Sequence, residues 1–442
     1  MGNELNIGTR RIGMIEGFNP GTPSIPAALE RSDRGIIATV TWSSSDDLFA
    51  SWFLRDSEIE TITPRLEDSP VSRELIFKDS RGSVMLVGCY ANGFTISIDG
   101  SGSGNLWASA AIMGPRKNIE FDKPHGIRTD ISGLRAWLGK SSWQYLPRDG
   151  DRPNGATIGT CEVPDIEIGE LGGVRISLSF GRSIEAKEDG DLTVLADYSR
   201  CVTRSQEPLA WDVHMGFHRA MRDLLLLSRW EVESCREASA LRCDDPLIIG
   251  NGERRGENWR KVVVPDEVVR AAATGYRPHL FKYSDFHSAG LMKWIRLRDE
   301  FARALDPVIS SIQLMSVSPN ALLAQTGPGL EALGYLLMLR DGVSNAKAEK
   351  EPLRRKLERI VQDLGDCLPF SSEEWTDLTC SAYNSLKHAN RKAPDPVNVM
   401  NSWRECVLVV RAWVGVELGI PLDVMKERLS CDPQKNPYKG VS

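Results

Sequence analysis

Eleven residues near the C-terminal end, SAYNSLKHANR from Ser381 to Arg391, gather a tyrosine, two amides, two cations and one of the chain's six histidines. Read as a helix, Asn384, Lys387 and His388 fall at i, i+3 and i+4 on one face, with Arg391 a turn further on and Tyr383 over Lys387. Lysine and arginine at that spacing neutralise a phosphodiester. Imidazole is the side chain best poised near neutral pH to move a proton. The plain alternative is a solvated helix end, where cations suit the C-terminal dipole. Lys387, Arg391 and Lys392 fit that reading as well.

Other groups carry weaker chemistry. Glu331 can serve as a buried partner for a cation in the same cleft, or simply as a first-turn acid favoured by a helix dipole. The basic run Lys347, Lys350, Arg354, Arg355, Lys356, Arg359 can track a polyanion, but Glu349, Glu351 and Glu358 alternate with it, which suits a salt-bridged surface. His214 and His218 have the i, i+4 spacing of a metal pair; no third ligand stands nearby, and Phe217 and Met221 mark an apolar helix, so packing is expected. The glycine-rich DGSGSGN lacks the Lys-Ser/Thr of a phosphate loop and reads as a turn. Trp403 and Trp413 belong to core or dimer packing.

The elements that position these groups follow from periodicity. Residues 1–35 read as an irregular lead-in rich in Gly, Pro and Asn. GIIATVTW, LFASWFL, SRELIFK, SVMLVGCY and GFTISIDG then alternate with turn formers, the texture of a sandwich or barrel. In DISGLRAWLG a short helix puts Ile131, Leu134, Trp137 and Leu138 on one face. Near Glu207 the period changes: PLAWDVHMGFHRAMRDLLLLSRW is helical, with Val213, Phe217, Met221, Leu224 and Leu225 as its stripe. A hairpin-like excursion of two apolar runs follows. From Ala289 helices dominate: one through LMKWIRLRDEFARALDPVISSIQLM, a second after a Gly-Pro-Gly break, a third behind Pro352, a fourth opened by Ser371 or Ser372, and a fifth from Asp395-Pro396 to Gly419. The expected fold is α+β: a β-rich domain over 1–205, a connector over 206–288 and an all-α bundle over 289–430.

Composition narrows the function class. With 41% hydrophobic and 26% charged residues the chain is an ordinary folded one. The net charge of -6 sits in the N-terminal half; the C-terminal half is near neutral and is the better candidate to meet a polyanion. Nine scattered cysteines form no CxxC pair, which argues for reduced thiols rather than a disulfide framework or a zinc site. No signal-peptide pattern or membrane-length apolar run is visible, so a cytoplasmic location is expected.

In this setting SAYNSLKHANR resembles the signature of the HEPN superfamily, and specifically of ApeA-type anti-phage HEPN proteins: Arg, four to six residues, then His, often Arg-Asn-x-x-x-His. Asn384 and His388 match; Tyr383 stands where the family has Arg. GPGLEALGYLL is similar to the family's second bundle helix, LMKWIRLRDEF to its entry helix, and the β-rich half to the ApeA N-terminal domain. The resemblance implies a metal-independent endoribonuclease, without cofactor, in which two bundles pair as a homodimer or higher oligomer and line one cleft. It implies RNA as substrate, with tRNA as a target, a phage component as trigger, and a role in abortive infection. The site residues carried over are His388 as acid/base, Asn384 to position phosphate or brace the helix, and Lys387 and Arg391 to bind phosphate, supported by Tyr383 and Glu331. The departure at Tyr383 removes a fixed bidentate charge. The alternative is therefore a catalytically degenerate HEPN protein that binds RNA, a nucleotide or a protein.

Overall fold

The computed structural model describes residues 2–17, 24–44, 50–53, 74–116, 119–147, 156–187, 191–250, 252–264, 277–314 and 316–439. The N-terminal region forms a large antiparallel sheet and the C-terminal region is helical, as the α+β reading expects. Among the described residues the sheet has 14 strands, ordered β12-β13-β14-β9-β15-β16-β8-β5-β4-β1-β2-β3-β7-β6. In chain order they are β1 (Arg10–Gly17), β2 (Ile25–Ser32), β3 (Gly35–Trp42), β4 (Glu74–Asp79), β5 (Gly82–Val87), β6 (Tyr90–Ile96), β7 (Gly102–Ala108), β8 (Ala110–Met113), β9 (Gly126–Ile131), β12 (Ile166–Leu171), β13 (Val174–Lys187), β14 (Leu192–Ser205), β15 (Cys235–Leu241) and β16 (Trp259–Val263). A separate hairpin pairs β10 (Trp143–Pro147) with β11 (Ala156–Thr160). The last two strands of the large sheet come from the 206–288 stretch and insert between β9 and β8.

Two strand expectations are corrected. The supposed lead-in holds β1 and β2. β1 escaped notice because its alternation is inverted in character: Arg11 is buried and paired with Asp79, Nε to Oδ2 at 2.8 Å, while Ile12 is 78% exposed. LFASWFL supplies a 3-10 turn at Ala50–Trp52 instead of a strand, and its residues 48, 49 and 54 lie outside the described residues. Trp52 and Phe53 are core residues all the same.

The helices are α1 (Leu134–Leu138), α2 (Trp211–Arg229), α3 (Tyr283–Glu300), α4 (Ala302–Gln313), α5 (Pro319–Arg340), α6 (Asn345–Lys350), α7 (Leu353–Gln362), α8 (Ser372–Lys387), α9 (Pro396–Glu417) and α10 (Leu422–Cys431). The four apolar residues assigned to the α1 face are all buried. The single helix expected through LMKWIRLRDEF and beyond is two, α3 and α4, divided at Phe301.

On α2 the expected stripe turns: Val213 is 43% exposed, and His214 and His218 face the sheet with no measurable exposure. They are held by threonines. Thr203 Oγ1 lies 3.0 Å from His214 Nδ1 and 3.0 Å from His218 Nε2, and Thr129 Oγ1 lies 2.7 Å from His218 Nδ1. His214 Nε2 faces the Pro124 carbonyl at 3.2 Å, an acceptor only, so that nitrogen carries the proton. This is the packing role the spacing suggested; burial drives the His218 pKa down to about 3.

One apolar core runs from Ile131, Trp137, Ile176 and Leu178 of the β region through α2 and α3 to Val407, Trp413 and Met425 of the bundle. The β region and the bundle are therefore packed as one body at that junction. Two smaller cores lie within the rest of the sheet. No helix among the described residues is long and apolar enough to cross a membrane.

Candidate functional site

α8 carries the site, and its start is well specified. Ser371 is the N-cap and its hydroxyl accepts from the Glu374 N–H at 3.2 Å, with Glu373 and Glu374 in the first turn where the dipole favours acids. Trp375, Thr376, Thr379, Ala382 and Tyr383 are buried against neighbouring helices. The helix ends at Lys387. His388 is its extended C-cap (φ -118, ψ 110), tied back by its N–H to the Asn384 carbonyl at 3.0 Å. Arg391 lies in the following turn, its N–H on the His388 carbonyl at 3.0 Å. The expectation that His388 and Arg391 continue one helical face is thus corrected: α8 stops at Lys387, and both residues lie in the connection to α9. Lys387, His388 and Arg391 are nevertheless exposed together at this end, with Lys392 next to them.

Tyr383 points the other way, into the bundle. Its ring lies on Gly327 of α5, where an added Cβ would sit 2.2 Å from a ring carbon. The Lys387 ammonium lies over the same ring at 5.9 Å from its centre. Burial, and secondarily the charge of Glu331, push the Tyr383 phenol above its ordinary range. This contact explains another departure from expectation. Gly-Pro-Gly does not break α5, which runs on through Pro328. Its glycines are places of close approach: a Cβ on Gly329 would sit 2.6 Å from the Ala304 carbonyl, and one on Gly334 2.4 Å from that of Lys356.

Glu331 does meet a cation, but with the burial reversed. Its partner is Lys356 of α7 at 3.1 Å, and the lysine side chain is 6% exposed against 37% for the glutamate. In sequence Lys356 is one cation of the surface basic run; nothing but the packing of α7 on α5 singles it out. The arginines of that run are salt-bridged as expected. Arg355 reaches Glu358 at 2.9 Å, Arg359 reaches Asp363 at 2.7 Å and also holds Asp341, and Arg354 holds Asp377.

Along the opposite side of α8, a groove of about 790 Å³ runs beside the start of α9, lined by Leu378, Ser381, Ser385, Asp395, Asn398 and Glu405. Burial raises the Glu405 carboxyl above the usual range. Chemically, the end of α8 offers an imidazole and three cations to an anion. Tyr383 faces the packed side of the same helix, toward Glu331 of α5, which pairs with Lys356 of α7. Among the described residues, the one cluster of acids close enough to share a cation, Glu74, Glu120 and Asp122, lies far from α8 in sequence, in the β region.

Residues 13–231 match the family model for ApeA N-terminal domain 1, and residues 339–424 match that for Apea-like HEPN. The second match contains α6, α7, α8 and α9 whole. No curated relative and no solved structure shows significant similarity to the chain.

Proposed function

Since the chain belongs to the ApeA-type HEPN proteins, an anti-phage family, we propose that it is a metal-independent endoribonuclease acting in abortive infection, with tRNA among its targets. The observation that carries this reading is the joint exposure of Lys387, His388 and Arg391 at the end of α8. Lys387 and Arg391 hold the scissile phosphate. His388 moves the proton between the 2′-hydroxyl and the leaving oxygen, and the product end is a cyclic phosphate. Asn384 fixes the turn: its carbonyl holds the His388 N–H. A second copy brings its own α8 end to the same cleft, so a homodimer is the working form. A phage component acting through the β region is the trigger.

The test is cleavage of RNA with chelator present, by the parent and by His388→Ala. Loss of at least about 100-fold is expected for removal of an acid/base group. Equal cleavage by both proteins sinks the assignment.

A second reading is favoured by Tyr383. The family arginine's place is filled by a buried ring packed on Gly327, which suits a HEPN module kept for binding RNA, a nucleotide or a protein. Under the enzyme reading, Tyr383→Arg gains no activity, because the place of Tyr383 is a buried one against Gly327 and Lys387 already sets a cation over it. A sharp gain in cleavage by Tyr383→Arg would mean instead that the parent is degenerate for want of that one group.

A further inference from the structure

The face of the sheet turned away from α2 carries arginines laid on aromatic rings. Along β14, Cys201 and Thr203 lie buried on the α2 side, so alternation sends Tyr198, Arg200, Val202 and Arg204 to the other. In β9, Arg128 stands opposite Val202 and shares that face; through Ser239 of β15 the same row continues to Lys261 of β16. The next row runs Arg204, Gly126, Leu241, Trp259. Gly126 is what lets the indole of Trp259 reach across: a Cβ there would sit 3.2 Å from the indole ring and 2.6 Å from the Thr203 carbonyl. Trp259 thereby meets two guanidiniums, Arg128 at 4.9 Å and Arg204 at 5.2 Å from its ring centre. Arg200 stacks on Tyr198 at 4.1 Å.

The acids on this face are fewer and hold the platform together. Glu257 accepts from Arg204 at 2.9 Å and from the Trp259 indole N–H at 2.8 Å. Glu237, itself exposed, is 3.7 Å from Arg200. Asp130, two residues along β9 from Arg128, lies on the same face. Arg128 has no hydrogen bond or ion pair among the described residues, and its Nε is buried without a partner. Burial, and next the charge of Arg200, bring its pKa down to about 10. Three guanidiniums held close, one of them reached by Glu257 only through its charge and not through an ion pair, form a surface that an added anion stabilises.

We propose that this face binds single-stranded RNA, with phosphodiesters against Arg128, Arg200 and Arg204 and bases on the guanidinium and aromatic planes. Guanidinium forks match phosphate oxygens, and ring and guanidinium planes stack bases regardless of sequence. An acidic peptide would use the charges but not the planes. The site lies on the opposite side of the sheet from the bundle, so it holds RNA apart from the end of α8. It rests on the RNA substrate class proposed above, but not on cleavage.

The experiment uses the full chain carrying His388→Ala, so that cleavage plays no part, and a fluorescent single-stranded RNA of mixed sequence, with anisotropy read across a salt series. Arg128→Gln is expected to weaken binding about tenfold at low salt. It should also flatten the slope of log affinity against log salt by about 0.7 for each phosphate that is no longer neutralised. Arg200→Gln should do the same, and Arg128→Lys should retain most of the affinity. Trp259→Leu should weaken binding with little change of slope. Melting temperatures matched to the parent show that the variants are folded. Unchanged affinity in both glutamine variants overturns the proposal, as does displacement of the RNA by polyglutamate as readily as by unlabelled RNA.

Discussion

Lys356 points its ammonium from α7 at Glu331 of α5 across 3.1 Å, and of the two only the glutamate meets solvent to any extent. A lysine so enclosed keeps its charge at the expense of hydration, and the glutamate offsets part of that loss. Glu331→Gln should therefore destabilise the chain, by about 1–2 kcal/mol once the partial exposure of the glutamate is allowed for. Lys356→Met in the same background should recover most of that, because the uncompensated charge is gone. Urea unfolding of the two single variants and the double variant checks this; a neutral Glu331→Gln means the pair carries no net stabilisation.

The contact between Tyr383 and Gly327 sets the spacing of α8 and α5. A methyl group at Gly327 would stand 2.2 Å from the Tyr383 ring, and the ring is packed too closely to retreat. Gly327→Ala gains helix propensity of about 1 kcal/mol, yet overpacking costs about 1–3 kcal/mol. The net expectation is a lower melting temperature. Tyr383→Leu should rescue the alanine variant by giving the methyl room, though it is itself destabilising in the parent. Additive losses in the double variant would show that the two residues do not meet.

These residues mark what was legible from sequence and what was not. Alternation and 3.6-residue periodicity are local, so β3 to β6 and helices α7 to α9 could be read from their own residues, whereas Gly102–Asn105 of the expected DGSGSGN turn belong to β7. β1 was hidden because the charge of its inward cation is met by Asp79, from another strand. α5 was hidden because glycine looks the same whether it breaks a helix or lets a neighbour approach; the difference resides in Tyr383, Ala304 and Lys356. At the site, residue types along SAYNSLKHANR were legible, but the place where the helix stops was not. That stop leaves His388 and Arg391 outside a helix, while the helical phase of α8 turns Tyr383 inward with Trp375, Thr376, Thr379 and Ala382. The arginine platform was invisible for the same reason as Lys356: Arg128, Arg204 and Trp259 come from three strands and meet only through the sheet register.

Glu74 gives the fold a pH dependence of stated sign. Its carboxyl is buried and accepts from the Phe121 N–H at 3.0 Å; burial, followed by the charge of Asp122, raises its pKa from 4.5 to about 7. The folded state thus holds a proton that the unfolded state has released. Between about pH 4.5 and 7 stability falls as pH rises, and above pH 7 the loss is complete. Glu74→Gln keeps the amide-facing oxygen and removes the charge. Relative to the parent it should be more stabilising at pH 8 than at pH 4, by on the order of 1–3 kcal/mol. Denaturant unfolding at the two pH values checks this, and a pH-independent difference between the proteins would show that Glu74 ionises normally in the fold.

Arg411 ties the bundle to the helix that leaves the sheet. It lies on α9, fully enclosed, and donates to the carbonyls of Leu227 at 2.6 Å and Ser228 at 3.0 Å at the end of α2, and to Asp432 at 2.8 Å. Its guanidinium also sits 5.4 Å from the centre of the Trp230 ring. Arg411→Met would strand a buried carboxylate and remove the donor from two carbonyls, a loss of about 3–5 kcal/mol. Because α2 and α9 share one apolar core with β13, the loss should not stay within the bundle. Hydrogen exchange should quicken in α2 and β14 as well as in α9 of the variant. Faster exchange confined to α9 and α10 would mean that the β region and the bundle are stable independently, and a trigger sensed at the sheet would then need another route to α8.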